Sequence, residues 1–485
     1  MIKRVANPFY ALLLLAGIAG GCSKSGSNNP DPVDPIVPPP VTPVKTDVEF
    51  WLTKGDRTSL FAKQNTAILF KQETNNNATI EVDSTQTYQT VDGFGFALTG
   101  GSAMLINQLN ATDKTALIRE LFGTDGGGIG ISYLRVTLGA SDLSIAPFTY
   151  DEITTGVSDM ELKQFSIDME KKDLIPVLKM ILAVNPNIKI LASPWTAPTW
   201  MKDNQGYYGG SLKKEYYSVY AQYFVKYINA MKAEGITIDA ITPQNEPLNA
   251  YNNPSMFMSS ADQKIFVRDN LGPAFESAGI STKILVYDHN LDHPEYATDI
   301  LKDAAAAKYI DGSAFHLYGG NINAMSAVHD AAPSKNVYFT EQATFGNGSF
   351  DGDLKWHTSN LIIGAMRNWS RNVIEWNLAS DPQFDPHTVG GCDACQGAIT
   401  VGNSVARNVS YYIIAHASKF VRPGSVRIGS TSINDLQSVA YKTPSGKKVL
   451  VVLNNTGSTL TFNIKYNNKI AASTLAGGAV GTYIW

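Results

Sequence analysis

The chain has 485 residues, 44% of them hydrophobic and 17% charged, with a formal net charge of -4. That balance excludes a disordered chain and gives length enough for two or three domains with a large core. The 39 Lys and Arg residues are spread along the sequence with no basic cluster among aromatics, which argues against a nucleic-acid partner.

The first residues read as a targeting segment. Lys3 and Arg4 give a positive start, and the apolar run Ala11 to Ala19 ends in Gly20-Gly21-Cys22. The run is too short to span a bilayer, so residues 1–21 are expected to be a signal peptide. Small residues before Cys22 predict lipidation of that cysteine, with simple secretion as the plainer alternative. Residues 22–46, rich in Pro, Ser and Asn, are expected to form a disordered tether. The protein is therefore expected to be an exported bacterial lipoprotein, periplasmic or on the outer-membrane surface, touching membrane only through its lipid.

Short β-like runs follow in residues 47–91, Ala67 to Phe70 and Ala78 to Val82 among them, separated by the Asn75-Asn76-Asn77 turn. From residue 92 to 417 strand-like and helical stretches alternate. The strands are read at Gly130–Val136, Lys189–Ser193, Ile236–Ile241, Lys283–Tyr287, Gly312–His316, Val337–Thr340 and Val373–Trp376. Tyr216 to Ala233 is an amphipathic helix with Tyr220, Phe224, Tyr227 and Met231 at helical spacing. Roughly eight such units are the signature of an α/β chain forming a (β/α)₈ TIM barrel. Residues 418–485 change to strands and turns, Val449–Leu453 and Leu460–Ile464 being the clearest. They predict an antiparallel β-sandwich, completed by the early strands 47–91.

Reactive residues of such a barrel sit at the C-terminal ends of its strands. That rule selects Arg135, Asp142, Trp195, Asn245, Glu246, His316, Tyr318, Glu341 and Trp376. Glu246 follows the fourth strand and Glu341 ends the seventh, so their carboxyls can flank one bound sugar ring. A retaining glycosidase needs such a pair, one carboxylic acid to protonate the leaving oxygen and one carboxylate to attack the anomeric carbon. Glu246 is read as the acid/base, with Asn245 beside it for a sugar 2-hydroxyl. Glu341 is read as the nucleophile, kept ionised by Arg135. Trp195 and Trp376 are expected to present their faces to the sugar rather than to plain core. His316 is expected to be a neutral hydrogen-bonding histidine. A lone strand-end glutamate is more often a structural ion-pair partner; two at these positions reverse that prior.

Other chemistry finds less support. His289 and His293 have i, i+4 spacing, but Pro294 follows and no third ligand is evident, so no metal and no cofactor are expected. The three cysteines include Cys392 and Cys395, spaced Cys-x-x-Cys. Zinc would need two more ligands and a redox site a thioredoxin-like setting, so a local disulfide is the preferred reading.

Several blocks resemble glycoside hydrolase family 30, which includes glucosylceramidases and endo-β-1,6-glucanases. They are Asp92-Gly93-Phe94-Gly95, Leu134-Arg135-Val136, Ser141-Asp142-Leu143-Ser144, Ser193-Pro194-Trp195, Asn245-Glu246-Pro247, His316-Leu317-Tyr318, Phe339-Thr340-Glu341, Trp376-Asn377 and Phe420-Val421-Arg422-Pro423-Gly424-Ser425. The resemblance implies a barrel fused to a sandwich and a retaining mechanism. It implies that Asp142, Trp195, Asn245 and Trp376 bind glucose, and that Arg135, His316 and Tyr318 support the nucleophile. Leu317 stands where the family more usually has Trp. The Gly390-Gly391-Cys392-Asp393-Ala394-Cys395 loop is similar to one in the β-1,6-glucanase branch. The expected protein is a monomeric endo-β-1,6-glucanase acting on β-glucan. An exo-acting β-glucosidase or glucosylceramidase, and a non-catalytic surface glycan-binding lipoprotein, are the alternatives.

Overall fold

The computed structural model describes residues 44–154 and 156–485. The expected signal peptide, Cys22 and all but the last three residues of the tether lie outside them. Eight parallel strands close into a barrel: β1 (Gly93–Leu98), β2 (Tyr133–Thr137), β3 (Lys189–Ser193), β4 (Ala240–Ile241), β5 (Lys283–Leu291), β6 (Ile310–Gly320), β7 (Asn336–Glu341) and β8 (Ser370–Glu375). Each pairs with the next in sequence, and β8 closes on β1.

The apolar runs that predicted these strands are explained by burial on both faces. Tyr133, Leu191, Ala240, Leu285, Ala314, Tyr338 and Ile374 form one cluster, with one residue from each of β2 to β8. Their neighbours Leu134, Ile190, Ile241, Val286, Phe315, Phe339 and Val373 belong to the large cluster shared with the surrounding helices. On the helix Tyr217–Ala233 the four spaced apolar residues are all buried.

A nine-stranded sheet built from both ends of the unit forms the sandwich. Its order is Ala62–Gln64, Glu49–Thr53, Val480–Ile484, Lys448–Asn454, Leu436–Lys442, Val426–Ser430, Ala78–Thr90, Leu460–Tyr466, Lys469–Leu475. The 13-residue strand Ala78–Thr90 makes the corner. Its first residues pair with Leu460–Tyr466 and the rest with Val426–Ser430. The former pairing is parallel, so the sandwich is not wholly antiparallel as expected. Phe50, Ile80, Val82, Ile428, Leu450, Val452, Phe462 and Tyr483 fill its core.

Two further sequence expectations change. Ala67 to Phe70 is not a strand: only Ile68 is buried, and it is held at one point by the Thr46 hydroxyl and the Asp47 and Val48 N–H groups. The run Ile236 to Ile241 shortens to the two residues of β4, while Ile236 and Ile238 enter the core ahead of it. Among the described residues no helix is long and apolar enough to cross a membrane.

Candidate active site

The C-terminal ends of the barrel strands open into a cavity of about 460 Å³. Asp142, Trp195, Asn245, Glu246, Glu341 and Trp376 line it, each from the loop or strand end where the sequence placed it. A carboxylate oxygen of Glu246, one of Glu341 and a ring nitrogen of His316 all lie within 4.8 Å of one another. Carboxylates this close suit direct attack by one of them on a sugar between them. Inverting enzymes keep the pair roughly 6.5–9.5 Å apart to admit a water.

Arg135, at the centre of β2, is fully buried. It donates to Glu341 Oε2 at 2.5 Å, to Asn245 Oδ1 at 2.6 Å and to Asp288 Oδ2 at 2.8 Å. With one lone pair of its oxygen taken by Arg135, Asn245 keeps its NH₂ group free to donate to a ligand. The guanidinium also lies 4.9 Å from the Trp195 ring, which stacks on Trp376 with centroids 5.4 Å apart. Tyr318 donates through its hydroxyl to Glu341 Oε1 at 3.1 Å.

His316 departs from the neutral role expected of it. Its Nδ1 is 3.2 Å from Glu246 Oε1 and 3.7 Å from Glu341 Oε1, and its Nε2 is 3.1 Å from Asp288 Oδ1. Burial opposes its charge, but Glu341, Asp288 and Glu246 outweigh burial and raise it to about 9. Three carboxylates reach it from three different strand ends, and no spacing in the sequence announces that convergence.

The two glutamates and this histidine titrate as a group. Burial pushes Glu246 up. The hydrogen bond and charge of His316, then His289 and Asn249, more than offset it and hold Glu246 at about 2. The proton withheld from Glu246 is the one His316 carries. With Nε2 held by Asp288, the 3.2 Å Nδ1–Oε1 contact can carry that proton on either partner. At Glu341 burial and the Glu246 charge outweigh His316 and Arg135 and leave it raised.

Asp288 is a central residue that the sequence did not reveal. It accepts from Arg135, Ser193, Thr242 and Thr340 and meets His316. Burial opposes its charge, but Arg135 and His316 lead the groups that hold Asp288 far below the usual carboxylate range. The strand was read as ending at Tyr287, whereas β5 runs on to Leu291 through a bulge. Tyr287 and Asp288 both have positive φ there. The strand-end rule would have selected Asp288 had the strand been carried one residue further. Asn249, which donates to Glu246 Oε2 at 2.8 Å, was also missed.

His293 is exposed and pairs with Glu295, while His289 stands 3.9 Å from Glu246. Among the described residues, the group close enough to hold a metal is Glu246, His316 and Glu341, not the two spaced histidines. Cys392 and Cys395 form a disulfide, and both line the cavity.

Comparison with known proteins gives three kinds of match. The sequence model of the glycosyl hydrolase family 30 TIM-barrel domain matches residues 91–421, and that of the family's β-sandwich domain matches residues 424–483. An endo-1,6-β-D-glucanase of Aspergillus fumigatus is 35% identical over 421 residues, covering 81% of this chain and 84% of that one. The lysosomal acid glucosylceramidase of Mus musculus is 29% identical, over 82% of this chain and 81% of that one. The solved structure of the endo-β1,6-glucanase BT3312 superposes with a TM-score of 0.85 at 36% identity, covering 91% of this chain and 99% of that one.

Proposed function

Because this chain belongs to glycosyl hydrolase family 30, we propose that it is a retaining endo-β-1,6-glucanase with Glu246 as acid/base and Glu341 as nucleophile. The carrying observation is the pair of carboxylates within 4.8 Å in one cavity at the barrel mouth. Glu341 attacks the anomeric carbon and forms a glycosyl ester, while the proton held between His316 and Glu246 passes to the departing oxygen. Glu246, now a base, then takes a proton from the water that hydrolyses the ester. Arg135 and Tyr318 both donate to Glu341, which favours its charged form and aims it. Trp195 and Trp376 both line the cavity, each with only 2% of its surface exposed.

The β-1,6 linkage is supported by the activities named for the fungal relative and for BT3312. Endo action is supported by the rim, where Tyr251 (82% exposed), Phe345 and Tyr318 stand open to further sugar units. The test is a time course on linear β-1,6-glucan. Endo action gives a ladder of oligosaccharides from the first minutes. Glucose alone would establish exo action instead, and binding without products would establish a glycan-binding lipoprotein.

The enzyme is further proposed to act as an exported, lipid-anchored monomer. Lys3, Arg4, the apolar run, Cys22 and the Pro-rich segment after it support the export and the anchor. Radiolabelled palmitate should enter the full chain and not Cys22→Ala; equal labelling of both would reject the anchor.

A further inference from the structure

One wall of the cavity is made by the loop after β8, and the disulfide is in that wall. Cys395 is buried against Ala97, Leu143, Trp195, Ala343 and Trp376. On one side the loop pairs with the segment that follows the nucleophile strand: Phe345 lies opposite Cys395, and Gly346 N–H donates to Ala394 O at 2.9 Å. On the other side it lies flat on Asp142. Thr388 N–H donates to the Asp142 carbonyl at 2.8 Å, and Cys392 N–H to its carboxylate at 3.4 Å. A side chain at Gly391 would put its Cβ 2.5 Å from the Asp142 carbonyl, so the approach is as close as backbone allows.

Asp142 is nearly fully buried, burial and the charges of Glu341 and Glu246 raise it to about 7, and among the described residues it makes no ion pair. Its partners are the Cys392 N–H and Asn252, and its charged neighbours are Glu341 and Glu246. A buried carboxylate without a counter-ion is costly unless donors are brought to it. In this cavity a sugar ring brings such donors as hydroxyl groups. The disulfide joins residues only 3 apart in sequence. A ring that short restrains the unfolded chain less than a long one does, so its principal effect is on local geometry.

We propose that the Cys392–Cys395 loop is a positioning element of the sugar subsite. It fixes the Cys392 N–H against Asp142 and so holds that carboxylate as the acceptor for hydroxyls of the ring in the cavity. The disulfide acts through Asp142 and not on the reacting atoms. This inference rests on the proposed hydrolysis of β-glucosidic bonds.

The experiment compares wild type with Cys392→Ser/Cys395→Ser on p-nitrophenyl β-D-glucoside, which needs only the first sugar subsite. The double variant should raise KM about tenfold or more while kcat stays within about twofold. On an Asp142→Asn background, removing the disulfide should change KM less than about twofold, because the acceptor it serves is already altered. An unchanged KM, or the same loss on both backgrounds, would overturn the proposal. If the double variant does not fold, native enzyme in excess soluble thiol supplies the same comparison. The dissociation constant of the iminosugar deoxynojirimycin supplies the ratio without turnover. Failure of the substrate reading therefore shows separately, as wild type inert toward every β-glucoside.

Discussion

Glu246 has φ 44°, in the left-handed region that residues with a Cβ seldom enter. Its N–H donates to Asp288 O at 2.9 Å, which holds the backbone there. Such strain costs about 1–3 kcal/mol and persists only where the surroundings over-determine it. The roles of the two glutamates separate by leaving group. Glu341→Gln should lower kcat at least about a thousandfold on every glucoside, because no substrate supplies its own nucleophile. Glu246→Gln should lower kcat/KM by about 10²–10⁴ on glucan but little on aryl glucosides whose leaving group needs no proton, while kcat falls on both because the same residue is the base of the second step. Equal losses of kcat/KM on both substrates would overturn the assignment. A second outcome concerns the proton shared with His316. Wild-type kcat/KM should fall on the basic side near pH 9, where the raised histidine releases its proton. In His316→Gln the proton rests on Glu246 alone, and the basic limb should move down by more than about one unit. A limb that stays in place would free His316 of any part in the titration. The two glutamates were legible in the sequence because Asn-Glu-Pro and Phe-Thr-Glu each follow an apolar run. The charge on His316 was not, since it depends on where three strand ends converge.

Among the barrel strands, β5 carries information that its sequence hides. Two consecutive left-handed residues, Tyr287 and Asp288, break its register against β6 and turn an aspartate toward Arg135. Neither residue is a glycine, so the bulge leaves no compositional mark. That is why a simple apolar-run reading ended the strand at Tyr287 and missed Asp288. The other strands that were read were legible because barrel strands are buried on both faces; β1 was not named as a strand in the sequence. β4 was read too long because its leading isoleucines are buried without being paired. The Arg135–Asp288 pair is wholly buried at 2.8 Å. Removing one partner of such a pair strands the other charge, which costs about 3–5 kcal/mol. Asp288→Asn should therefore lower the urea midpoint by an equivalent amount and reduce kcat, since His316 and Glu341 lose their common anchor. A variant as stable as wild type would show that Glu341 and Asn245 alone carry the Arg135 charge.

Across the whole molecule, barrel and sandwich meet at a buried histidine. His416, in the helix Val409–Ser418, has Nδ1 2.8 Å from Thr482 Oγ1 and Nε2 2.8 Å from Thr53 Oγ1, one threonine from each of two paired sandwich strands. Burial without a counter-charge pushes it down to about 3. Its folded value lies below its unfolded one, so the unfolded chain binds the extra proton between about 3 and 6.5. The stability is present above pH 6.5 and is lost as pH falls. From pH 7 to pH 5 this group should remove about 2 kcal/mol, visible in denaturation midpoints. His416→Asn should flatten that part of the curve; an unchanged slope would place the acid sensitivity elsewhere. The fused sandwich was legible from the composition change near residue 418, but its parallel pairing and corner strand were not, because non-local partners leave no local pattern. The same architecture also sets an order in time. The strand Ala78–Thr90 has all its sheet partners beyond Val426, on the far side of the entire barrel. At typical synthesis rates its edges wait on the order of tens of seconds for those partners to emerge from the ribosome. During that interval the nascent chain holds an unpaired 13-residue strand, so conditions that slow elongation should favour aggregation before any part of the cleft is at fault.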